Sequence, residues 1–197
     1  MKHTNTFFAL VAFFAISFFS TSWAETYTVV PSKTNLKWTG TKAVGEHYGS
    51  LKVKSGKLVL EGNSVKSGEF TIDMNSLTVD DMEPGEWHDK LLGHLKSDDF
   101  FSTNKHSNAK FVITKVVGEY GNTVITGDLT IKGKTHPVTF VTTMKSEGNT
   151  STFDAKITVN RIKYGIKYSS GSFFENLGDK LIHDNFTIDL KLVANKG

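Results

Sequence analysis

Apolar and polar side chains alternate along most of this chain with a period of two. Leu36, Trp38 and Gly40 alternate with Lys37, Thr39 and Thr41; Gly49, Leu51 and Val53 alternate with Ser50, Lys52 and Lys54. Gly56 reads as a turn before Lys57–Leu60, and Gly68, Phe70, Ile72 and Met74 then alternate with Glu69, Thr71, Asp73 and Asn75. The pattern resumes at Ala109, Phe111 and Ile113, at Ile125, Gly127, Leu129 and Ile131, at Val138, Phe140 and Met144, at Phe153, Ala155, Ile157 and Val159, and finally at Phe186, Ile188, Leu190 and Leu192. Alternation of this kind predicts antiparallel strands with one apolar and one polar face. Tyr120-Gly121-Asn122, Lys132-Gly133-Lys134 and Glu147-Gly148-Asn149 place Gly where a hairpin needs a positive φ. The period changes once: Trp87, Leu91 and Leu95 stand at i, i+4 and i+8 after Glu83-Pro84-Gly85, which predicts a short amphipathic helix followed by Phe100 and Phe101.

Eight or nine short strands with mostly tight connections predict an all-β meander closed into a barrel, with a sandwich as the alternative. A membrane barrel carries the same alternation with the apolar face outward. The amphipathic helix, the polar end of the chain and the lack of paired aromatic girdles favour the inward arrangement. Its interior candidates are Trp38, Leu51, Phe70, Ile72, Met74, Phe111, Ile113, Phe140, Met144, Phe153, Ile157, Phe186 and Ile188. Gly40, Gly49, Gly68, Gly127 and Ala155 share their parity and predict room for a ligand.

Residues 1–24 read as a signal peptide. A 13-residue apolar core, Phe7–Phe19, follows Lys2, and Ser22-Trp23-Ala24 supplies small residues for a cut after Ala24. That core is shorter than the roughly 20 residues a membrane-spanning helix needs. Residues 25–197 are then one exported domain, in the periplasm or secreted. The chain has no cysteine, so disulfides and thiol chemistry are excluded, and its net charge of +3 comes from interspersed signs. Such a distribution predicts no nucleic-acid partner.

Candidate chemistry is sparse. The histidines show no metal-ligand spacing, and no metal site is predicted. Gly45-Glu46-His47 and Asp179–Asp184 bring acid and imidazole close in sequence, a weak signal for acid–base work. Arg161 is the only arginine beside 22 lysines, which suggests a geometric task for its forked head: pairing with Asp154 or Asp184, or meeting a ligand head group. Ser172-Phe-Phe-Glu175 fits a capping box and Gly178 a helix end, so the stretch after Arg161 is expected to fold as a flap over one barrel mouth.

Leu36-Lys-Trp-Thr-Gly-Thr-Lys42, Gly68-Glu-Phe-Thr-Ile-Asp-Met-Asn-Ser76, His94-Leu-Lys-Ser-Asp-Asp-Phe-Phe101, Gly127-Asp-Leu-Thr-Ile-Lys-Gly133, Tyr164-Gly165, Ser170-Gly171 and Gly178-Asp-Lys180 together resemble the YceI-like family of exported, lipocalin-like proteins. The resemblance implies an up-and-down antiparallel barrel and an apolar tunnel for a polyisoprenoid, quinone-like or other lipid in the periplasm. It implies no reaction, no cofactor beyond such a lipid, and no stable membrane insertion; a homodimer stays open. The tunnel set above is expected to hold the tail, with Arg161, Tyr164, Tyr168 and Trp87 near the mouth and head group. A filled barrel serving as a stress-response or interaction module is the alternative, and an enzyme acting on a bound lipid, through His47 or His183, is a further one.

Overall fold

The computed structural model describes residues 23–118 and 122–197. The predicted leader, apart from Trp23 and Ala24, lies outside the described residues, as do Tyr120 and Gly121 of one predicted turn. The described residues form strands β1 (Ala24–Val29), β2 (Asn35–Lys42), β3 (Glu46–Glu61), β4 (Ser64–Asp73), β5 (Asn108–Val117), β6 (Thr123–Ile131), β7 (Lys134–Glu147), β8 (Thr150–Asn160) and β9 (Ile182–Lys196), with helix α1 (Glu86–Lys96) between β4 and β5.

These nine strands make an eight-staved closed antiparallel barrel. Order runs β3-β2-β9-β8-β7-β6-β5-β4, and β3–β4 pairing closes it. β1 and β2 share one stave: Trp38 of β2 stands opposite Gly49 and Ile188, while Tyr27 of β1 stands opposite Leu58 and Lys196 on the same two neighbours. Pro31–Lys33 breaks the stave in a 3-10 turn, where Pro supplies a preset φ and removes a donor the ladder would need. The predicted turn at Gly56 is absent, and β3 runs through it. A bulge between Val53 and Ser55 bends the strand there, and a Cβ on Gly56 would lie 2.6 Å from the Phe70 ring. The chain reverses instead at Gly62, φ +58°. Gly133 and Gly148 have positive φ, as their hairpins require.

The apolar parity faces inward. At the end where β1 starts and β9 finishes, Tyr27, Val29, Leu58, Leu60, Val65, Phe153, Leu192 and Ala194 close the barrel with a buried core. The other end is capped by side chains from four segments: Leu77 and Val79, Leu95 of α1, Phe100, and Ile166, all packed with Trp38. Thr78 and Asp80 extend this end as a short strap, donating backbone N–H groups to the Ser50 and Tyr48 carbonyls. The helix forms as its spacing predicts, with Leu95 buried and Leu91 and Leu92 half-buried against the cap. Gly93 faces open space on the opposite side.

The stretch from Arg161 to Leu181 departs from expectation. Arg161–Tyr164 is a 3-10 turn ended by Gly165 at φ +78°, and Asn160 caps it by accepting from the Ile162 N–H at 2.9 Å. No helix follows Ser172. The Phe173 and Phe174 N–H groups both bond back to the Ser170 carbonyl, and Gly178 opens a second 3-10 turn, Gly178–Lys180, rather than ending one. Asn176, which would have to be helical after a capping box at Ser172–Glu175, stands at positive φ, as does Ser169 before the segment, so the chain turns repeatedly there.

Candidate ligand-binding cavity

Between the closed end and the cap lies a cavity of about 190 Å³. Twelve of the thirteen predicted tunnel residues surround it: Trp38, Leu51, Phe70, Ile72, Met74, Phe111, Ile113, Phe140, Phe153, Ile157, Phe186 and Ile188. Met144 does not. It is buried in the core of the closed end, packed with Phe153 and Leu192, because the barrel narrows to solid packing below Thr142. Sequence parity alone could not place that floor. Leu95, Phe100, Ile166, Ile182 and His183 join the lining from the cap and were not among the predicted residues. The i, i+4, i+8 spacing of α1 pointed towards Leu95, but only the docking of the cap brings it over the barrel.

Phe70, Phe111, Phe140, Ile157, Phe186 and Ile188 face inward and are nevertheless only half-buried. Leu58 and Leu60, at the closed end, keep almost no accessible surface. The contrast marks an interior that is unfilled at mid-height. The small residues do not create that space. A Cβ on Gly127 would fall 2.3 Å from the Phe111 ring, one on Gly68 would fall 2.8 Å from Leu58, and one on Gly49 would strike the Thr78 carbonyl at 2.0 Å. Each gap is occupied by a neighbour, and Phe111 lies across Gly127 much as an aromatic covers a strand glycine. Gly40 alone of these has room, with the Trp38 ring 3.8 Å away.

One flank of the cavity lacks ladder pairing. The β7–β8 ladder runs from Glu147 and Thr150 to Thr142 and Ala155 and stops there. Above that point β7 pairs with β6, and β8 pairs with β9. Val138 and Phe140 on one strand and Ile157 and Val159 on the other then line the cavity along the seam. A break between β4 and β5 also occurs below Glu69 and Val112, towards the closed end, where a Cβ on Gly68 would meet Leu58 and Ile113.

The predicted mouth residues separate. Arg161 borders the cavity with its side chain 4% exposed, and its fork is taken up by the protein. Nε donates to the His183 carbonyl at 3.0 Å, Nη1 to the Ile166 carbonyl at 2.8 Å and Nη2 to the Ile182 carbonyl at 2.8 Å. Asp184, not Asp154, completes the site, with Oδ1 3.6 Å from Nη2 and Oδ2 accepting from the Ser172 hydroxyl at 2.5 Å. Burial lowers the Arg161 pKa while the Asp184 charge opposes that shift. Burial alone would raise the Asp184 carboxyl; the Ser170 and Ser172 hydroxyls and the positive charges nearby outweigh it and hold the group below the usual 3.8. Arg161 thus ties the cap to the start of β9.

Tyr164 is not at the mouth. It is 1% exposed, packed with Met74, Ala109, Ile131 and Val159, and its ring meets His136 edge-on at 5.4 Å. Its hydroxyl is buried without a hydrogen-bond partner, and burial pushes its pKa up to about 12. Tyr168 and Trp87 lie on the outer side of the cap and do not line the cavity. The aromatic residues were legible as a set; which wall each faces was decided by turns with no periodicity.

The acid–imidazole pairings also resolve. His47 Nδ1 lies 2.8 Å from Asp81 Oδ2, and the Tyr48 N–H donates to Asp81 Oδ1 at 3.0 Å, so this pair fastens the strap to β3. Burial would raise Asp81, but the Tyr48 N–H and His47 lower it. His183 borders the cavity, and its Nδ1 is 2.8 Å from the Thr41 hydroxyl.

The same fold occurs in solved structures. BcnA of Burkholderia cenocepacia superposes with a TM-score of 0.62 at 23% identity, over 84% of this chain and 98% of the other. A domain from Saccharophagus degradans, described as polyisoprenoid binding, superposes with a TM-score of 0.59 at 12% identity, over 87% and 98%. Among sequence relatives, a UPF0312 protein of Pseudomonas fluorescens is 38% identical over 129 residues, covering 61% of this chain and 64% of the relative. One from Shewanella denitrificans is 37% identical over 94 residues, 47% of each chain. The matches thus span less than two thirds of these relatives' length. The YceI-like domain itself matches residues 27–194, from within β1 to within β9, and the chain belongs to the YceI-like family.

Proposed function

We propose that this protein binds an elongated, uncharged apolar molecule of the polyisoprenoid or quinone-like class inside the barrel and shields it from water in the periplasm. The observation that carries the reading is the ring of inward-facing but half-buried side chains, Phe70, Phe111, Phe140, Ile157 and Phe186, around a cavity of about 190 Å³. An apolar hole of about 150 Å³ stays dry and takes up an apolar guest. Each methylene moved from water into such a space contributes about 0.8 kcal/mol before ordering costs are subtracted. A long tail exceeds the resting cavity, so the half-buried aromatics would shift to admit it.

Charge argues for a neutral ligand. Three donors of Arg161 are committed to backbone carbonyls, which leaves the fork poorly placed for a phosphate. The leader predicted for residues 1–24 supports export, and the description of the Saccharophagus neighbour supports the ligand class. Binding without catalysis is favoured because His47 and Asp81 hold the strap away from the cavity, and His183, which does border it, has its Nδ1 against the Thr41 hydroxyl at 2.8 Å with no carboxylate paired to it among the described residues. Organic extraction of natively purified protein, followed by mass spectrometry, tests the reading. The expected result is a co-purifying chain-like lipid; an extract without one, together with refusal of diphenylhexatriene by the emptied protein, refutes it.

A further inference from the structure

Exposed apolar side chains gather on the outer side of the cap. Trp87 is 72% exposed, Phe174 51% and Phe173 46%, and Val44 and Tyr168 are exposed beside them in the fold. Trp87 and His94 stand seven residues apart on α1, hence on one face of the helix. The His94 ring meets Tyr168 edge-on at 4.5 Å, so the stripe continues from the helix onto the loop after Gly165. Val44 reaches the same end because the Ala43 N–H bonds to the Leu181 carbonyl at 2.9 Å. Phe173 and Phe174 are presented on a fastened turn: both N–H groups bond to the Ser170 carbonyl, and Ser172 holds Asp184. Two lysines lean over these rings, Lys90 at 4.7 Å from Trp87 and Lys167 at 4.5 Å from Phe173.

We infer that this aromatic cap is a docking surface for the interfacial zone of a lipid bilayer, where the barrel exchanges its cargo; the inference rests on the binding function proposed above. Aromatic rings flanked by lysines whose stems lie along apolar surface suit the headgroup boundary, where a ring is buried and an ammonium stays wet. Continuity with the cavity favours a bilayer over a protein partner. Ile166 and Ile182 line the cavity from beneath the same loop that carries Phe173 and Phe174 outside, and the opposite end of the barrel is closed by buried core. Exposed charges of both signs lie on the same loop, Lys167 and Lys180 with Glu175 and Asp179, so attachment works through ring burial rather than charge.

Residues 25–197, which hold the barrel, are floated with phosphatidylcholine vesicles, with and without phosphatidylglycerol, at low and high salt; diphenylhexatriene uptake is measured separately without vesicles. The protein is expected to float with both vesicle types and at both salt levels. Phe173→Ser/Phe174→Ser is expected to lower the floated fraction about tenfold while leaving probe uptake and melting temperature unchanged. Equal flotation of the variant, flotation confined to anionic vesicles at low salt, or no flotation of a probe-binding wild type overturns the inference and leaves cargo binding intact. The last outcome reassigns the face to a protein partner. Flotation that depends on Phe173 and Phe174 in a protein that excludes the probe keeps the docking surface and removes the cargo.

Discussion

Replacing Arg161 by Lys separates a residue that holds the cap from one that greets a ligand. The guanidinium donates to three carbonyls, those of Ile166, Ile182 and His183, at 2.8–3.0 Å from a nearly inaccessible position. An ammonium on a shorter, unforked stem can reach one of them while keeping the charge opposite Asp184. Two charge-assisted bonds are lost, each contributing roughly 1.5–3 kcal/mol, and two carbonyls are left without those donors. The expected loss is about 3 kcal/mol at the low end, which for a domain of this size lowers the melting temperature by roughly 6–12 °C. Scanning calorimetry reads the global effect. Hydrogen exchange at the Ile166 and Ile182 amides, bonded to the Arg161 and Ser169 carbonyls, reads whether the cap opens on its own. Diphenylhexatriene uptake well below the melting point is expected to persist. A variant that melts within 2 °C of wild type with protected amides, yet loses uptake, would refute the structural role and return Arg161 to the ligand.

Further outcomes follow from the same geometry. Ile157→Phe adds volume to the unfilled mid-barrel, so stability should change by less than about 1.5 kcal/mol while probe uptake falls; a large destabilisation in thermal melts would mean the interior is already full. Gly127→Ala places a Cβ against the Phe111 ring and the Val112 carbonyl at 2.3–2.6 Å; it should cost about 1–3 kcal/mol by urea titration, and an unchanged midpoint would contradict the packing. Asp81 and Asp184 both have folded-state pKa values below 3.8. Their contribution is therefore complete above that value and is lost as pH falls through the folded pKa. Melting temperature should be insensitive to these two groups between about pH 5 and 7, above the ordinary carboxylate pKa, and decline as pH falls below that pKa, with a shallower decline in Asp184→Asn.

Much of this barrel was legible in the residues because strand parity is local. Side chains at i and i+2 share a face whatever surrounds them, so Phe70 with Ile72 and Phe111 with Ile113 could be assigned to one wall before any neighbour was known. The same holds for α1, where Trp87, Leu91 and Leu95 mark a helix at the correct place. Non-local geometry decided the rest. Met144 has the parity of a tunnel residue, yet it lies in the floor, packed among Phe153, Leu192 and the other closed-end residues that arrive from different strands. Gly49, Gly68 and Gly127 looked like open space, yet their partners arrive from Thr78, Leu58 and Phe111 on other segments. Tyr164 and Tyr168 are four residues apart, but the turn at Gly165 sends one beneath the wall and the other onto the outer face.

The sequence by itself determined an all-β chain of strands with one apolar face each, a short amphipathic helix and one arginine too singular to be mere surface charge. Tertiary structure alone decided what that arginine holds. Its acceptors are backbone carbonyls, which every residue carries and no composition reveals, and they converge only after β8, the turn at Gly165 and the start of β9 have come together.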